Sequence, residues 1–358
     1  MVSTLAADYI QRKFPFFQEP QEVDALSVYA ANLVEFDRRE LKFLDEKGVG
    51  RANVLFDLNV GFDDWSPPAK EDKQYLNPIL KWALHDMEGR REEPTSLAEV
   101  FRGSEFVCFR GMLTRLGGTP FEERDGWRVV CVRAQGLIFM YEFETEEKLE
   151  REEKMTEREW RMTYWGYKFE EYMVSSTPSG EPSVSATACR NSDQFCVLFR
   201  SRLARHRLFF GAEVDCVDSG GRYVELKTNR LFTKPNQRRN FHKYKALKWW
   251  LQSFLVGIRT IVAGYRDDEG LVKELSSLSV ADLERESRDF WSGSACVAFV
   301  DAFLTHVKTT LVRDDPHQLY MAEWRPGQHM VRLRKLSRDE SQRFQILPPW
   351  FLDALPKE

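Results

Sequence analysis

The sequence lacks the features that would place the chain in a membrane or in the secretory pathway. No apolar run approaches the roughly 20 residues that span a bilayer as a helix. The N-terminal stretch MVSTLAADYIQRKFPFF lacks the charged-then-apolar layout of a signal peptide. We therefore expect no membrane partner.

Cysteine and histidine are both scarce. The 358 residues include 6 Cys and 6 His, all dispersed and without a C-x-x-C pair. In a chain of this length, scattered cysteines indicate reduced thiols, so we expect an intracellular protein of the nucleus, the cytoplasm or both. The dispersed histidines argue against a zinc site built on His.

Acidic residues are missing from one long stretch. From Leu226 to Arg266 there is no Asp or Glu, but there are ten Lys or Arg residues. The net charge is nevertheless −4, because acids concentrate elsewhere, notably between Glu142 and Glu159. A near-neutral protein with one basic face suits a ligand that has a phosphate backbone. A solvated basic helix would give the same pattern and is an equal alternative on charge alone.

Strand-like and helix-like segments alternate along the chain. This predicts an α/β or α+β fold with mixed central β-sheets flanked by helices. Beyond short strands within 1–60, the predicted strands are 105–112, 128–134, 136–144, 193–201, 206–217, 222–229, 259–267, 317–324 and 329–336. The predicted helices are 73–89, 147–174, 240–257 and 280–312, and the predicted loops are 63–72, 176–188 and 233–240. No repeat or long linker divides the chain, so residues 1–358 are expected to form a single domain.

The stretch GAEVDCVDSGGRYVELKT, residues 211–228, predicts a β-hairpin with a Gly-rich turn. Alternation along its strands places Glu213 and Asp215 on one face, and Glu225 and Lys227 on one face. Buried carboxylates cost several kcal/mol each unless a cation compensates them. Lys227 offsets one charge, and a magnesium or manganese ion would offset the others. A surface hairpin with its polar face outward is the alternative.

Two predicted helices supply further polar side chains to the predicted metal site. In GYKFEEYM, Tyr167 and Met173 stand three residues before and after Glu170, so Glu170 lies within an apolar stripe. In KYKALKWWLQSFLVG, Lys245, Lys248 and Gln252 form a polar line at i, i+3 and i+7. Taken alone, Gln252 fits an amide at the edge of the core, but beside Lys227 it would reach a phosphate or a water molecule.

The order acid, about ten residues, then E-x-K resembles the PD-(D/E)XK nucleases. Over most of its length the sequence also resembles the decapping exoribonuclease (DXO) family. The motifs that carry this resemblance are FPFF (14–17), FRGMLTRLGGTPFEERDGW (109–127), GYKFEEYM (166–173), GAEVDC (211–216), YVELKT (223–228), LKWWLQSFLVG (247–257), VAGYRDDEG (262–270) and LPPWFLDAL (347–355). Several ordered motifs are far more specific than any one of them.

The resemblance implies roles for individual residues. One or two divalent cations, Mg²⁺ or Mn²⁺, would be bound by Glu170, Glu213, Asp215, Glu225 and the carbonyl of Leu226. Lys227 and Gln252 would act with Glu170 in catalysis and contact the scissile phosphate or the attacking water. Arg110 would contact the RNA backbone near the 5′ end, and Glu213 would also face the substrate.

The resemblance further implies a single catalytic domain, residues 1–358, that hydrolyses phosphodiester bonds at RNA 5′ ends. Its expected substrates are incompletely capped, NAD-capped, triphosphate or monophosphate ends, the last degraded 5′→3′. Two alternatives stand beside this hypothesis. One is a DNA nuclease with the same metal site, and the other is a non-catalytic or weakly catalytic partner that stabilises an XRN-type exoribonuclease.

Overall fold

The computed structural model describes residues 2–6, 13–50, 52–67, 74–92, 94, 96–178, 180–189 and 193–355. Within these residues, strands form two mixed sheets and helices lie against them. None of the described helices is long and apolar enough to cross a bilayer.

The described strands form one ten-stranded and one seven-stranded sheet. They are β1 Val2–Ala6, β2 Gln21–Val28, β3 Val34–Glu35, β4 Phe43–Leu44, β5 Ala52–Asp57, β6 Phe106–Phe109, β7 Trp127–Ala134, β8 Leu137–Phe143, β9 Val174–Ser175, β10 Gln194–Leu203, β11 His206–Glu213, β12 Cys216–Val217, β13 Tyr223–Arg230, β14 Thr260–Arg266, β15 Leu271–Ser279, β16 Asp315–Trp324 and β17 Met330–Lys335. The first sheet has the order β1-β17-β16-β7-β8-β6-β11-β10-β2-β3, and the second β5-β15-β14-β13-β12-β4-β9.

The described α-helices connect these strands. They are α1 Asn77–Glu88, α2 Leu97–Val100, α3 Arg110–Gly118, α4 Glu146–Glu153, α5 Glu157–Met173, α6 Pro235–Asn240, α7 Ala246–Phe254, α8 Val280–Ser287, α9 Gly293–Thr310, α10 Arg338–Arg343 and α11 Pro349–Leu352. A π-helical turn, Phe241–Lys245, joins α6 to α7. π-Helical turns are rare and frequently occur at functional sites.

The helices form layers with the two sheets. Helices α3, α7 and α9 share one apolar core with a face of each sheet. Helices α1 and α2 cover the opposite face of the ten-stranded sheet, and α5 covers the opposite face of the seven-stranded sheet. Sheets flanked by helices confirm the predicted fold class.

Several predicted boundaries are wrong for identifiable local reasons. The predicted strand 105–112 ends at Phe109, because Met112, Leu113 and Leu116 follow a helical period and are buried on α3. The predicted helix 147–174 is two helices, because Thr156 forms a capping box with Glu159 and starts α5. The predicted helix 280–312 is likewise divided into α8 and α9.

The predicted loops have mixed outcomes. The loop 233–240 is wrong from position 235 onward, where Pro235 occupies the first turn of α6. The loop 63–72 lies outside the described residues from position 68 onward, and its first residues end a 3-10 turn, Phe62–Asp64. Of the loop 176–188, position 179 lies outside the described residues, and the others form no helix or strand. Strand β15 was missed altogether.

The predicted hairpin at 206–229 is correct only at its turn. Strand β12 pairs with β13 through Cys216 and Val217, and the Asp218 carboxylate accepts hydrogen bonds from the backbone of Gly220 and Arg222. Strand β11, however, belongs to the ten-stranded sheet, whereas β13 pairs in parallel with β14 in the other sheet. The chain therefore passes from one sheet to the other between Glu213 and Cys216.

A glycine in β14 allows α5 to pack close to the seven-stranded sheet. A Cβ atom on Gly264 of β14 would lie 2.4 Å from the ring of Phe169, the residue that precedes Glu170. A Cβ atom on Gly166, one turn earlier on α5, would meet nothing within 4 Å. The close approach between α5 and the sheet is thus made at Gly264.

This contrast gives a matched pair of glycine substitutions. We expect Gly264→Ala to push Phe169 outward and to lower the free energy of unfolding by about 1–3 kcal/mol, the usual cost of overpacking. Gly166→Ala should raise it by about 0.5–1 kcal/mol, because alanine is the better helix former. Chemical denaturation measures both values. Equal effects of the two substitutions would contradict this account of how α5 is seated.

Candidate metal-dependent active site

Four acidic side chains lie near one another, and they are called here the carboxylate cluster: Glu170, Glu213, Asp215 and Glu225. Glu170 comes from α5, and Glu213 ends β11. Asp215 lies where the chain passes between the sheets, and Glu225 is in β13. Glu225 is only 1% exposed, Glu170 and Asp215 are partly buried, and Glu213 is exposed.

The charges of these four groups influence one another's pKa. Burial, and then the charges of Asp215 and Glu213, raise the pKa of Glu170 well above its ordinary value. Burial, and then Glu225, raise the pKa of Asp215 to about 7. Although Glu213 reaches solvent, desolvation by the protein around it also raises its pKa. The cluster is therefore short of positive charge.

Two cationic side chains adjoin the cluster, and both stabilise the ionised form of Glu225. Lys227 Nζ donates a hydrogen bond of 2.5 Å to Glu225 Oε1, and Arg110 lies 3.6 Å from Oε2. Although burial opposes it, these two cations hold the pKa of Glu225 below its ordinary value. The Glu225 Oε2 atom is buried and has no hydrogen-bond partner.

The donor set suits a hard divalent cation, which prefers carboxylate and carbonyl oxygens. Four carboxylates adjoin two cationic side chains, and Glu225 Oε2 has no hydrogen-bond partner. Asp215 Oδ2 instead accepts a hydrogen bond of 2.6 Å from the backbone N–H of Leu226. Within the described part of the chain, no three Asp, Glu, His or Cys side chains are already arranged as a ligand set. Metal binding therefore requires these side chains to turn toward a common centre.

Arg110 is placed differently from what we expected. Its guanidinium donates to the backbone carbonyls of Gln252 at 2.9 Å and Glu213 at 3.2 Å, and the residue is 7% exposed. It thereby joins α3, α7 and the end of β11 beneath the site. A contact with the RNA backbone stays a prediction, whereas the structural role of Arg110 is visible in these contacts.

Two cavities meet at the carboxylate cluster. The aromatic cavity, about 600 Å³, is lined among others by Tyr75, Phe109, Tyr141, Arg110 and Gln252. The acidic cavity, about 460 Å³, is lined among others by Glu40, Glu171, Asp193, Glu170 and Asp215. Both cavities include Tyr167, Gln194 and Glu213. The first has stacking surfaces for a base, and the second is an environment for cations.

Lys168 is a residue of the site that the sequence analysis missed. Its side chain is completely buried, and Nζ donates to Glu171 Oε2 at 2.6 Å and to the Ser185 carbonyl at 2.7 Å. Glu171 Oε1 accepts from the Ser185 N–H at 3.0 Å. The pair thus holds both backbone groups of Ser185, which lines the acidic cavity. An apolar stripe interrupted by lysine in GYKFEEYM was the available signal.

We expect Lys168→Met to lower the free energy of unfolding by about 3–5 kcal/mol, because removing one partner of a buried pair leaves the other uncompensated. Lys154→Met is the control, since that side chain is 78% exposed, and its effect should stay within about 0.5 kcal/mol. Adding Glu171→Gln to Lys168→Met should recover part of the loss. Chemical denaturation gives all three values, and a neutral effect of Lys168→Met would refute the role of this pair.

Comparisons with known proteins agree with this site. A family model described as "RAI1 like PD-(D/E)XK nuclease" matches residues 18–352. The human "Decapping and exoribonuclease protein" is 34% identical over 96% of this chain and 87% of its own length. The Rai1 structure from Scheffersomyces stipitis, in complex with (3′-NADP)⁺ and calcium, has a TM-score of 0.82 at 21% identity and covers 98% of this chain and 99% of its own. The Candida albicans Rai1 structure, in complex with pU5 and Mn²⁺, has a TM-score of 0.81 at 19% identity and covers 99% and 98%.

Proposed function

We propose a function from the premise that this chain belongs to the family of RAI1-like PD-(D/E)XK nucleases, as its family match and its human relative show. The resemblance to decapping exoribonucleases and the predicted nuclease-like core are confirmed. The chain is a nuclease, and its proposed substrate is the 5′ end of RNA. The activity would remove incomplete caps, NAD caps or 5′ pyrophosphate, and could be followed by 5′→3′ degradation of the monophosphate chain.

The meeting of the carboxylate cluster with Lys227 carries this proposal. A cation bound by Glu170, Glu213, Asp215, Glu225 and the Leu226 carbonyl would stabilise negative charge on a phosphate and lower the pKa of a bound water. Lys227 is held beside Glu225 with 22% of its side chain exposed, which suits contact with a phosphate oxygen or the attacking water. Gln252 lines the aromatic cavity with Glu213 and could orient the same groups.

The aromatic cavity supports a preference for chain ends. Its volume of about 600 Å³ accommodates one or two nucleotide-sized groups, and its tyrosine and phenylalanine rings offer stacking surfaces. Solved relatives contain a divalent cation together with a dinucleotide derivative or a short RNA in their complexes. Divalent-metal dependence is consistent with these complexes, and we propose Mg²⁺ or Mn²⁺ as the natural ion, with two ions per site.

The test is a panel of RNAs that differ only at the 5′ end, incubated with purified protein and either Mg²⁺ or Mn²⁺. We expect release of NAD, cap dinucleotide or pyrophosphate from at least one member, and none after chelation of the metal. A double-stranded DNA arm separates the DNA-nuclease alternative. Absence of cleavage across the RNA panel with both metals would refute the proposed activity.

The remaining predictions concern partners and location. The alternative function, stabilisation of an XRN-type exoribonuclease, does not need the carboxylate cluster, so a cluster-neutralised variant would retain it while losing hydrolysis. We also propose that residues 1–358 act as one catalytic domain inside the cell, in the nucleus, the cytoplasm or both. All six cysteines are free, buried thiols, which supports an intracellular compartment.

A further inference from the structure

We propose that two cations, Lys245 and Lys248, form a track that binds the phosphates of the RNA chain beyond its first nucleotides. They are called here the cationic track. The inference rests on the proposed function and deepens it, since it names the surface that would hold the body of the RNA while the 5′ end is in the site. It also gives a role to part of the acid-free stretch between Leu226 and Arg266.

The track begins beside the carboxylate cluster. Lys248 lies one helical turn before Gln252 on α7, and the positive charge of Lys227 helps to lower its pKa. Lys245 ends the π-helical turn before α7, and its Nζ donates a hydrogen bond of 2.9 Å to Asn229 Oδ1. Asn229 follows Lys227 by two positions in β13, so both point to the same face of that strand.

Arg266 lies outside the track. It ends β14, and its guanidinium lies 4.2 Å from the ring centre of Trp165 on α5 and donates to the Asp267 carbonyl at 3.0 Å. Helix α5 covers the face of the seven-stranded sheet opposite to α7, so Arg266 does not share a face with Asn229 and Lys245.

Neither lysine of the track forms an ion pair. Among the described residues, no carboxylate lies within ion-pair distance of Lys245 or Lys248, whereas Lys243 pairs with Glu123 at 3.5 Å and Arg230 pairs with Asp268. Burial, and then Arg266, lower the pKa of Lys245, while burial, and then Arg115 and Lys227, lower that of Lys248. Exposed lysines with no carboxylate within ion-pair distance favour an anionic ligand.

The spacing indicates which part of the RNA would bind. Lys245 precedes Gln252 by seven residues, which corresponds to about 10 Å along a helix. The track therefore lies outside the reach of the terminal nucleotide and suits the nucleotides next to it. Contacts of this kind depend on phosphate charge, so they add affinity without sequence preference and weaken as salt increases.

The test compares RNA lengths in a background that does not cleave, the Glu213→Gln variant. Binding of a fluorescent 5′-phosphorylated dinucleotide and of a dodecamer is measured by anisotropy over a range of salt concentrations. Into this background we introduce Lys245→Gln with Lys248→Gln, or the charge-matched control Arg332→Gln with Lys335→Gln, whose side chains are exposed on β17.

We expect the track variant to bind the dodecamer roughly tenfold more weakly and to lower the slope of log K against log salt by about 1.4, about 0.7 per lost phosphate contact. Dinucleotide binding should not change, which also shows that the variant is folded. Unchanged dodecamer binding would overturn the inference, and so would an equal loss for both RNAs. If the wild-type protein cleaves no RNA but the track variant still weakens dodecamer binding and not dinucleotide binding, the proposed activity fails and the track stands.

Discussion

Converting Glu213 and Asp215 to their amides, Glu213→Gln with Asp215→Asn, is expected to lower the rate of RNA 5′-end hydrolysis on the order of 10³-fold or more. The variant loses half of the carboxylates in the cluster and with them the negative charge that would hold a divalent cation. Initial rates at saturating Mn²⁺, on whichever RNA of the panel reacts fastest, provide the measurement.

The amide variant should remain folded. Asn at position 215 keeps an oxygen that can accept the hydrogen bond from the Leu226 N–H, and Glu213 lies in the open cavity. Its melting temperature without metal should therefore match or exceed that of the wild type. Glu150→Gln, at a side chain that is 70% exposed on α4, is the control and should keep full activity. A double-amide variant that retains more than a tenth of the wild-type rate would refute the assigned site.

The second large effect is a loss of stability of the metal-free protein as the pH rises, which a bound metal ion should cancel. In the metal-free protein the pKa values of Glu170 and Asp215 are raised, that of Asp215 to about 7. The folded state therefore keeps protons that the unfolded state releases above about pH 4. Stability contributed by these groups is complete below that pH and is lost as the pH rises toward and beyond 7.

Manganese should cancel this loss, because an ion bound only by the folded protein stabilises it by about 2.7 kcal/mol at 100 times its dissociation constant. Melting temperatures from pH 5 to 8, with and without Mn²⁺, measure the effect. Glu170→Gln should raise the melting temperature of the metal-free protein at pH 8 by roughly 2–4 °C for each kcal/mol recovered, and should reduce the benefit of Mn²⁺. If the wild type and Glu170→Gln show the same dependence on pH, the carboxylates do not repel one another as described.

Individual residues show how far the sequence reached. Glu170 was identified from its helical spacing to Tyr167 and Met173, because periodicity reports which face of an element a side chain occupies. Lys227 and Glu225 followed from alternation along one strand. These inferences use information that lies within a few residues, and the structure brings all three side chains to the same site.

Arg110 and Lys168 show where such reasoning ends. Arg110 was placed in a strand, but it begins α3 and donates to the carbonyls of Gln252 and Glu213, which are more than a hundred residues away. Its contact with RNA stays a prediction. Lys168 was not singled out, although it is fully buried against Glu171 and Ser185. Both roles depend on partners that no local pattern specifies.

The sequence by itself determined which side chains carry charge, which face of a helix or strand each occupies, and that a long basic stretch follows the E-x-K motif. The tertiary structure decided that β11 and β13 belong to different sheets and that the chain between them brings Glu213 and Asp215 to Glu225. It also decided which cations are paired and which are left for a ligand. The physical reason is that backbone periodicity is local, whereas burial and charge pairing depend on elements that are distant in the chain and meet only on folding.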